Sequence, residues 1–246
     1  MRIIAHTTTK IRIYLALTLI IIFAGLAAGT HFVNRFTAVK ASLDENIAQT
    51  VIIDAGHGGP DGGTSADDGT LEKDINLQIA LMLSEALNAM GVETKMTRTD
   101  DISIHNSTAK TIREKRVSDI KNRLKIINET DNSIFVSIHQ NHFSVSKYNG
   151  TQVFYSKNNP LSQSLANSIR QPIITYLQPE NSREIKESGS EIYLLHHAQK
   201  PAVMIECGFL SNFEETQKLK DKSYQKKLAF LIAIGIFDYL NSSEGS

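Results

Sequence analysis

The sequence has a single cysteine, Cys207, and no tryptophan. One thiol excludes an internal disulfide, so the fold holds together without a covalent cross-link of that kind. A domain of this length can be stabilised by its hydrophobic core alone, whether it is secreted or not. The single cysteine therefore shows that the fold uses no internal disulfide, but it does not indicate the cellular compartment.

An excess of basic residues is also lacking. The chain has 26 Lys and Arg residues and 26 Asp and Glu residues, and five of the basic ones precede the first acidic residue, Asp44. From Asp44 onward, 21 basic residues face 26 acidic residues. A nucleic-acid-binding domain shows the opposite imbalance, so no nucleic-acid partner is predicted.

Only one uncharged apolar run approaches the length of a membrane span. It covers Ile13 to Thr30 and follows the basic residues Arg2, Lys10 and Arg12. This arrangement is typical of an export signal or an uncleaved anchor. We predict that residues 1–30 are a signal peptide or a membrane anchor, that residues 31–49 are a linker, and that residues 50–241 form an extracytoplasmic domain.

Within that domain, short apolar segments alternate with helical patterns. Six segments have the length and composition of strands: TVIIDA, VETKMTR, SIFVSIH, TQVFYS, EIYLL and PAVMIEC. Helices are predicted after Thr70 as N-cap, over Val117–Glu129, from Pro160, and in the last apolar stretch, YQKKLAFLIAIGIFDYL. The pattern predicts an α/β fold, with a sheet of about six strands sandwiched between helices.

Three polar side chains each lie at the end of a predicted apolar strand. They are His57 in the Gly-rich stretch DAGHGGPDGG, His139 and Glu206. Ligands of α/β sheets bind at strand ends, so these three residues are expected to share one site. Glu72 lies in the first turn of the next helix, and the glycine loop can carry its carboxylate toward His57. Two imidazoles and one carboxylate form the ligand set of a catalytic zinc site.

Four sequence blocks carry a family resemblance. DAGHGGPDGG, LEKDINLQIA, SIHQN and PAVMIECGFLSN resemble, in the same order, the zinc-dependent N-acetylmuramoyl-L-alanine amidases (type 3) of the bacterial cell wall. The similarity extends from Val51 to Leu240, and four ordered blocks are far more specific than one motif. The resemblance implies a mixed, twisted sheet of the phosphorylase/hydrolase-like kind. It also implies hydrolysis of the amide between the lactyl group of N-acetylmuramic acid and L-alanine of the peptidoglycan stem peptide.

The resemblance also implies residue roles. His57, Glu72 and His139 match the family's Zn²⁺ ligands, and Glu206 matches its catalytic glutamate. Further matches, which are expected to shape the site, are Asn76, Arg98, Arg123, Asn128, Ser137, Asn141 and the run Gly208 to Asn212.

Within the family, the single domain and N-terminal apolar segment resemble most the germination-specific amidases of the spore cortex. That implies action in the cortex space of the developing spore, toward muramic-δ-lactam together with a deacetylase. The chain has no recognisable wall-binding repeats. Targeting is therefore expected to come from the membrane or from an accessory protein.

Several alternatives stay open on the sequence alone. A zinc carboxypeptidase, a deacetylase acting on the cell wall and a non-catalytic wall-binding scaffold are the competing functions. Cys207 adjoins Glu206 and could serve as a thiol nucleophile with His139 as base, although a free cysteine is commonly a small buried hydrophobe. His142 could approach the metal or line the cleft.

Overall fold

The computed structural model describes residues 49–243. The predicted signal peptide or anchor, residues 1–30, and nearly all of the predicted linker lie outside this range, so these two assignments stay predictions. None of the helices between residues 49 and 243 combines the length and apolarity needed to cross a membrane.

Six strands and six helices are formed by residues 49–243. In chain order they are β1 (Thr50–Ala55), α1 (Glu72–Ala89), β2 (Thr94–Met96), α2 (Ile112–Glu129), β3 (Ser133–Asn141), β4 (Gln152–Tyr155), α3 (Leu161–Tyr176), β5 (Lys186–Glu187), α4 (Tyr193–His197), β6 (Ala202–Phe209), α5 (Phe213–Lys220) and α6 (Lys222–Ser243).

All six strands join one sheet in the order β2-β1-β3-β6-β4-β5. The neighbours β2, β1, β3 and β6 are parallel. Strand β4 runs antiparallel to β6, and β5 is parallel to β4. The sheet is therefore mixed, and the predicted α/β architecture with about six strands is confirmed.

The two faces of the sheet are covered by different helices. One face carries Ile53, Val136 and Ile205 and packs against α1, α3 and α6. The other carries Ile52, Phe135 and Met204 and packs against α2 and α4. Strand side chains alternate, so the residues two positions further along each of these strands return to the same face. On the second face those residues are Asp54, Ser137 and Glu206, which places polar groups just beyond the apolar layer.

The sequence predicts that EIYLL is a strand. In the structure this segment instead contributes to the short helix α4. Leu194 and Leu195 are both buried, in the same cluster as Ile52 and Phe135. Neighbouring residues of a helix can face one core together, whereas in a strand they point to opposite faces. The sixth strand is instead the exposed pair Lys186–Glu187, which is too polar to be recognised as a strand.

Two helix starts also differ from prediction. Helix α1 begins at Glu72 without a side-chain cap, and Thr70 instead donates its hydroxyl to Asp68 at 2.6 Å. Helix α2 begins at Ile112, earlier than the predicted Val117, because Thr111 and Glu114 form a reciprocal capping box there.

Helices α3 and α6 approach closely at Gly235. A Cβ atom built there would lie 2.5 Å from the Ile169 Cα and 2.5 Å from the Ser168 carbonyl oxygen. The Ser168 hydroxyl donates to the Gly235 carbonyl at 2.8 Å across the same contact. This glycine therefore sets the spacing of two helices that cover one face of the sheet.

We expect Gly235→Ala to lower the free energy of unfolding by about 1 to 3 kcal/mol, because the added methyl overpacks the contact between backbones. Helix propensity alone predicts the opposite, a gain of about 1 kcal/mol. Urea unfolding distinguishes the two. Gln163→Ala, at an exposed position of α3, is the control and should change stability by less than about 0.5 kcal/mol. A stabilised Gly235→Ala variant would contradict the close approach.

Candidate metal centre

Three of the residues singled out in the sequence meet at one point. His57, Glu72 and His139 each offer a ligand atom, and these atoms all lie within 4.8 Å of one another. The His57 Nε2 is 3.2 Å from one Glu72 carboxylate oxygen, and the His139 Nδ1 is 2.9 Å from the other. Glu72 thus stands between the two imidazoles.

The glycine loop after β1 delivers His57 to this point. His57 itself has a φ of 62°, in the left-handed region, which is uncommon for a residue with a side chain. Gly56 lies against the His139 ring, because a Cβ there would be 2.2 Å from Nε2. Gly63 lies against Glu72 in the same way, with 2.5 Å between a built Cβ and Oε2. The loop lacks side chains where the site residues need the space.

Glu72 is held by hydrogen bonds to both of its oxygens. The backbone N–H of Thr64 donates to Oε2 at 2.9 Å, and that of Gln140 donates to Oε1 at 3.1 Å. Burial alone would raise its pKa, but hydrogen bonds and charge from His139 and His57 hold the pKa far below its usual value. The carboxylate is therefore ionised and fixed in place, as a metal ligand must be.

Asp61 orients His57 from the other side. Its carboxylate lies 2.9 Å from the His57 Nδ1 and also pairs with Arg116 at 2.8 Å. Burial lowers the His57 pKa, yet the hydrogen bonds to Asp61 and Glu72 outweigh it and raise the pKa to about 9. A carboxylate on the second ring nitrogen is the usual support of a metal-binding histidine. Asp61 was not singled out in the sequence, although a carboxylate four residues after His57 in a tight loop was a usable signal.

A buried ionic network fixes the backbone below the site. Asp54 accepts hydrogen bonds from Arg123 at 2.5 Å, Ser137 at 2.6 Å and Thr97 at 2.7 Å. Arg123 also donates to the His57 carbonyl at 2.7 Å. Burial alone would raise the pKa of Asp54, but Arg123 and the hydroxyl donors lower it to about 2.

The further family matches behave in two ways. Arg98 donates to the Gly56 carbonyl at 3.0 Å, and Asn76 donates to the same oxygen at 3.2 Å, so both support the loop. Asn128 instead accepts from the Gln199 N–H and takes no part in the centre. Asp54, which connects the network, was not singled out in the sequence because a lone aspartate in an apolar strand can have many different roles.

Glu206 lies beside the three donors. It is the direct register partner of His139 between β3 and β6. Its Oε2 is buried and has no hydrogen-bond partner within residues 49–243. Burial raises the pKa of Glu206 to about 7, against the opposing charges of His139 and His57. A carboxyl group with a pKa near neutrality can both accept and return a proton.

The other two candidates from the sequence stay outside this chemistry. His142 is exposed and does not belong to the group of converging donors. Cys207 is 1% exposed, and burial raises the pKa of its thiol well above the usual value. A thiolate at Cys207 is therefore disfavoured, and the thiol-hydrolase alternative has no support.

The donor set fits a zinc ion. Ligand atoms about 2.0 to 2.1 Å from a tetrahedral zinc are separated from one another by roughly 3.4 Å. The 3.2 Å between His57 and Glu72 is close to that spacing, and two nitrogens with one oxygen form a known catalytic ligand set.

Comparison with known proteins identifies the family. The family model described as N-acetylmuramoyl-L-alanine amidase matches residues 51–238. The chain belongs to this family. The amidase is 33% identical over 189 residues to the germination-specific N-acetylmuramoyl-L-alanine amidase of Bacillus subtilis, covering 77% of the chain and 78% of that relative.

Solved structures agree with this assignment. The CwlD amidase from Clostridioides difficile, in complex with the GerS lipoprotein, is 44% identical with a TM-score of 0.76, covering 79% of this amidase and 99% of that chain. An N-acetylmuramoyl-L-alanine amidase from Clostridium difficile 630 is 33% identical with a TM-score of 0.69, covering 80% and 99%. The chain is therefore an enzyme, an amidase acting on peptidoglycan, and not a binding scaffold.

We expect Asp54→Asn to lower the free energy of unfolding at pH 7 by about 3 kcal/mol, because it leaves the buried Arg123 charge with only Asp119 as partner. The native pKa of about 2 lies below the ordinary value of 3.8, so the carboxylate stabilises the fold fully above about pH 4 and loses this effect toward pH 2. Urea unfolding across this range should show a smaller acid loss in the variant. Asp67→Asn, at an exposed position, is the control, and equal curves for all three proteins would contradict the network.

Proposed function

We propose that the amidase is a zinc enzyme in which His57, Glu72 and His139 hold the metal and Glu206 is the catalytic residue. The observation that carries this proposal is the convergence of the three donors within 4.8 Å, next to a carboxyl group with an unpartnered buried oxygen. Few arrangements other than a hydrolytic metal centre combine a fixed anionic ligand with a proton carrier near neutrality.

When bound, zinc lowers the pKa of water and polarises the carbonyl oxygen of the scissile amide. Glu206 then accepts a proton from the attacking water and returns it to the nitrogen of the leaving L-alanine. Its register next to His139, one of the proposed ligands, supports this role. The hydrogen bonds from Thr64 and Gln140 keep Glu72 in place through the reaction.

The bond proposed for cleavage is the amide between the lactyl group of N-acetylmuramic acid and L-alanine of the stem peptide. Family membership favours it over the two alternative reactions, those of a zinc carboxypeptidase and a deacetylase. A deacetylase would release acetate rather than peptide. The released product therefore separates the candidates directly.

We place the reaction in the spore cortex, in cortex maturation toward muramic-δ-lactam and in germination. The support is the likeness to the germination-specific amidase of Bacillus subtilis and to the CwlD amidase of Clostridioides difficile. The complex of that CwlD amidase with a lipoprotein also supports an accessory protein for this chain. A domain that is fully zinc-loaded and fully active alone would contradict the need for one.

For the chain as a whole, we propose a signal peptide or membrane anchor in residues 1–30, a linker in residues 31–49 and a catalytic zinc amidase domain in residues 50–241. The basic start and apolar run at Ile13–Thr30 support the first part. The start of β1 at Thr50 supports the domain boundary. The catalytic domain is then extracytoplasmic, where peptidoglycan lies.

We expect the wild-type chain with zinc to release free stem peptide from peptidoglycan fragments, and Glu206→Gln to release none, because glutamine cannot carry the proton. Mass spectrometry of the products is the measurement. Glu214→Gln, at an exposed position of α5, is the matched control and should keep full activity. Release of acetate by the wild type would overturn the reaction, and an active Glu206→Gln variant would overturn the role of Glu206.

We expect Gly56→Ala to weaken zinc binding roughly 10- to 100-fold, the range seen when the support of a metal ligand is lost. The added methyl would lie 2.2 Å from the His139 Nε2, so the ring must move. Gly62→Ala is the control in the same loop, since its Cβ would meet Leu71 at an ordinary 3.5 Å. Competition with a chromophoric chelator measures the affinity, and unchanged affinity in Gly56→Ala would count against His139 as a ligand.

A further inference from the structure

A cleft of about 210 Å³ opens beside the candidate metal centre, on the side of β4 and β5. We name it the cationic cleft, and its lining includes Asn141, Tyr148, Gln152, Arg183, Lys186 and Phe209. It combines aromatic surface, two amides and two cations. The function proposed above assigns no role to Tyr148, Gln152, Arg183 or Lys186.

Strand pairing connects the cationic cleft to the catalytic residue. Gln152 on β4 is the register partner of Glu206, which is in turn the partner of His139. Asn141 and Phe209 pair just beyond them. Neighbouring strands are about 4.8 Å apart, so β5 lies about 10 Å across the sheet from β6. Lys186 on β5 is level with Phe154 and Met204, two residues before Glu206. The cleft therefore begins next to the reacting atoms and extends away from the metal ligands.

Arg183 is held in an orientation that leaves charge exposed. Its guanidinium lies 4.7 Å from the centre of the Phe209 ring and 5.7 Å from that of Tyr148. Its Nε donates to the Asn149 carbonyl at 2.8 Å, whereas no acceptor for its terminal nitrogens is found within residues 49–243. A guanidinium fixed in this way can bind a carboxylate through two parallel hydrogen bonds.

Lys186 adds a second cation with no acidic partner in the described part of the chain. Its Nζ lies 5.9 Å from the centre of the Phe154 ring. The nearest acidic residues in sequence do not neutralise the cleft. Glu184 pairs with Arg170 at 3.0 Å, and Glu187 follows Lys186 on β5, so its side chain points to the opposite face.

We propose that the cationic cleft binds the stem peptide of the substrate, with Arg183 and Lys186 recognising the free carboxylate of its second residue. This inference rests on the proposed function. An extended peptide advances about 3.5 Å per residue, so two residues and a long cationic side chain span the distance from the scissile amide. The aromatic rings and the Asn141 and Gln152 amides offer contacts to the intervening peptide.

Charge decides which half of the substrate occupies the cationic cleft. On the sugar side of the scissile bond, the lactyl carboxyl group is part of the amide itself and therefore carries no negative charge. The peptide side keeps a free carboxylate wherever a glutamate is linked through its side chain. Arg183 and Lys186 therefore select substrates by the state of that carboxylate, and amidation of it should weaken binding.

The test compares two probes that differ only in this group. They are N-acetylmuramoyl-L-alanyl-γ-D-glutamyl-L-lysinamide and the same compound with the glutamyl α-carboxylate converted to a carboxamide. Binding is measured calorimetrically to the full-length, zinc-loaded, detergent-solubilised Glu206→Gln chain, so that no turnover occurs. We expect the free carboxylate to bind roughly tenfold or more tightly, the size of one hydrogen-bonded charge.

The variants Arg183→Gln and Lys186→Gln, alone and combined, should bring the ratio of the affinities for the two probes toward one. Arg113→Gln and Lys227→Gln, at exposed positions on α2 and α6, should leave it unchanged. Lys186 is exposed, so its single variant tests the inference even if Arg183→Gln fails to fold. Equal binding of both probes by the parent, or a ratio kept in the double variant, would overturn the subsite.

Hydrolysis is recorded separately with the wild-type chain and the carboxylate probe. A kept binding preference with release of acetate instead of the stem peptide would overturn the proposed reaction while supporting the subsite. Hydrolysis without a preference would support the reaction and overturn the subsite. The two proposals therefore fail in distinguishable ways.

Discussion

The Glu72 carboxylate is the contact on which the rest of the candidate centre depends. It lies between His57 and His139, which are far apart in the sequence, and contacts both through one ionised group. A buried carboxylate is costly unless donors surround it, and backbone N–H groups of Thr64 and Gln140 supply them. The glycine loop, the start of α1 and the end of β3 are thus held to one another by a single side chain.

Below this contact, the second face of the sheet changes from apolar to polar along the direction of its parallel strands. Ile52, Phe135 and Met204 pack under α2 and α4, and the residues two positions further along the strands are Asp54, Ser137 and Glu206. The Asp54–Arg123 pair is stabilising only because several donors satisfy it together. The rigid apolar sheet positions the polar groups, and the buried network keeps the loop that follows β1 from relaxing.

Sequence patterns predicted the sheet well and some helix boundaries poorly. Consecutive apolar residues in β1 and β6 indicate strands buried on both faces, and the structure has both. The similar pattern in EIYLL leads into helix α4, since a run of four apolar residues fits either period. The start of α1 differs because Thr70 bonds locally to Asp68 instead of capping the helix.

By itself, the sequence determined the fold class, the family and the residue types at the strand ends, because burial pattern and ordered motifs depend on local chain composition. His57, Glu72, His139 and Glu206 were identified in this way, and the structure brings the first three together beside the fourth. The roles of Asp54 and Asp61, and the cationic cleft of Arg183 and Lys186, were decided only by the tertiary structure. Each depends on groups that are distant in sequence or on a loop geometry, and no local pattern encodes such distances.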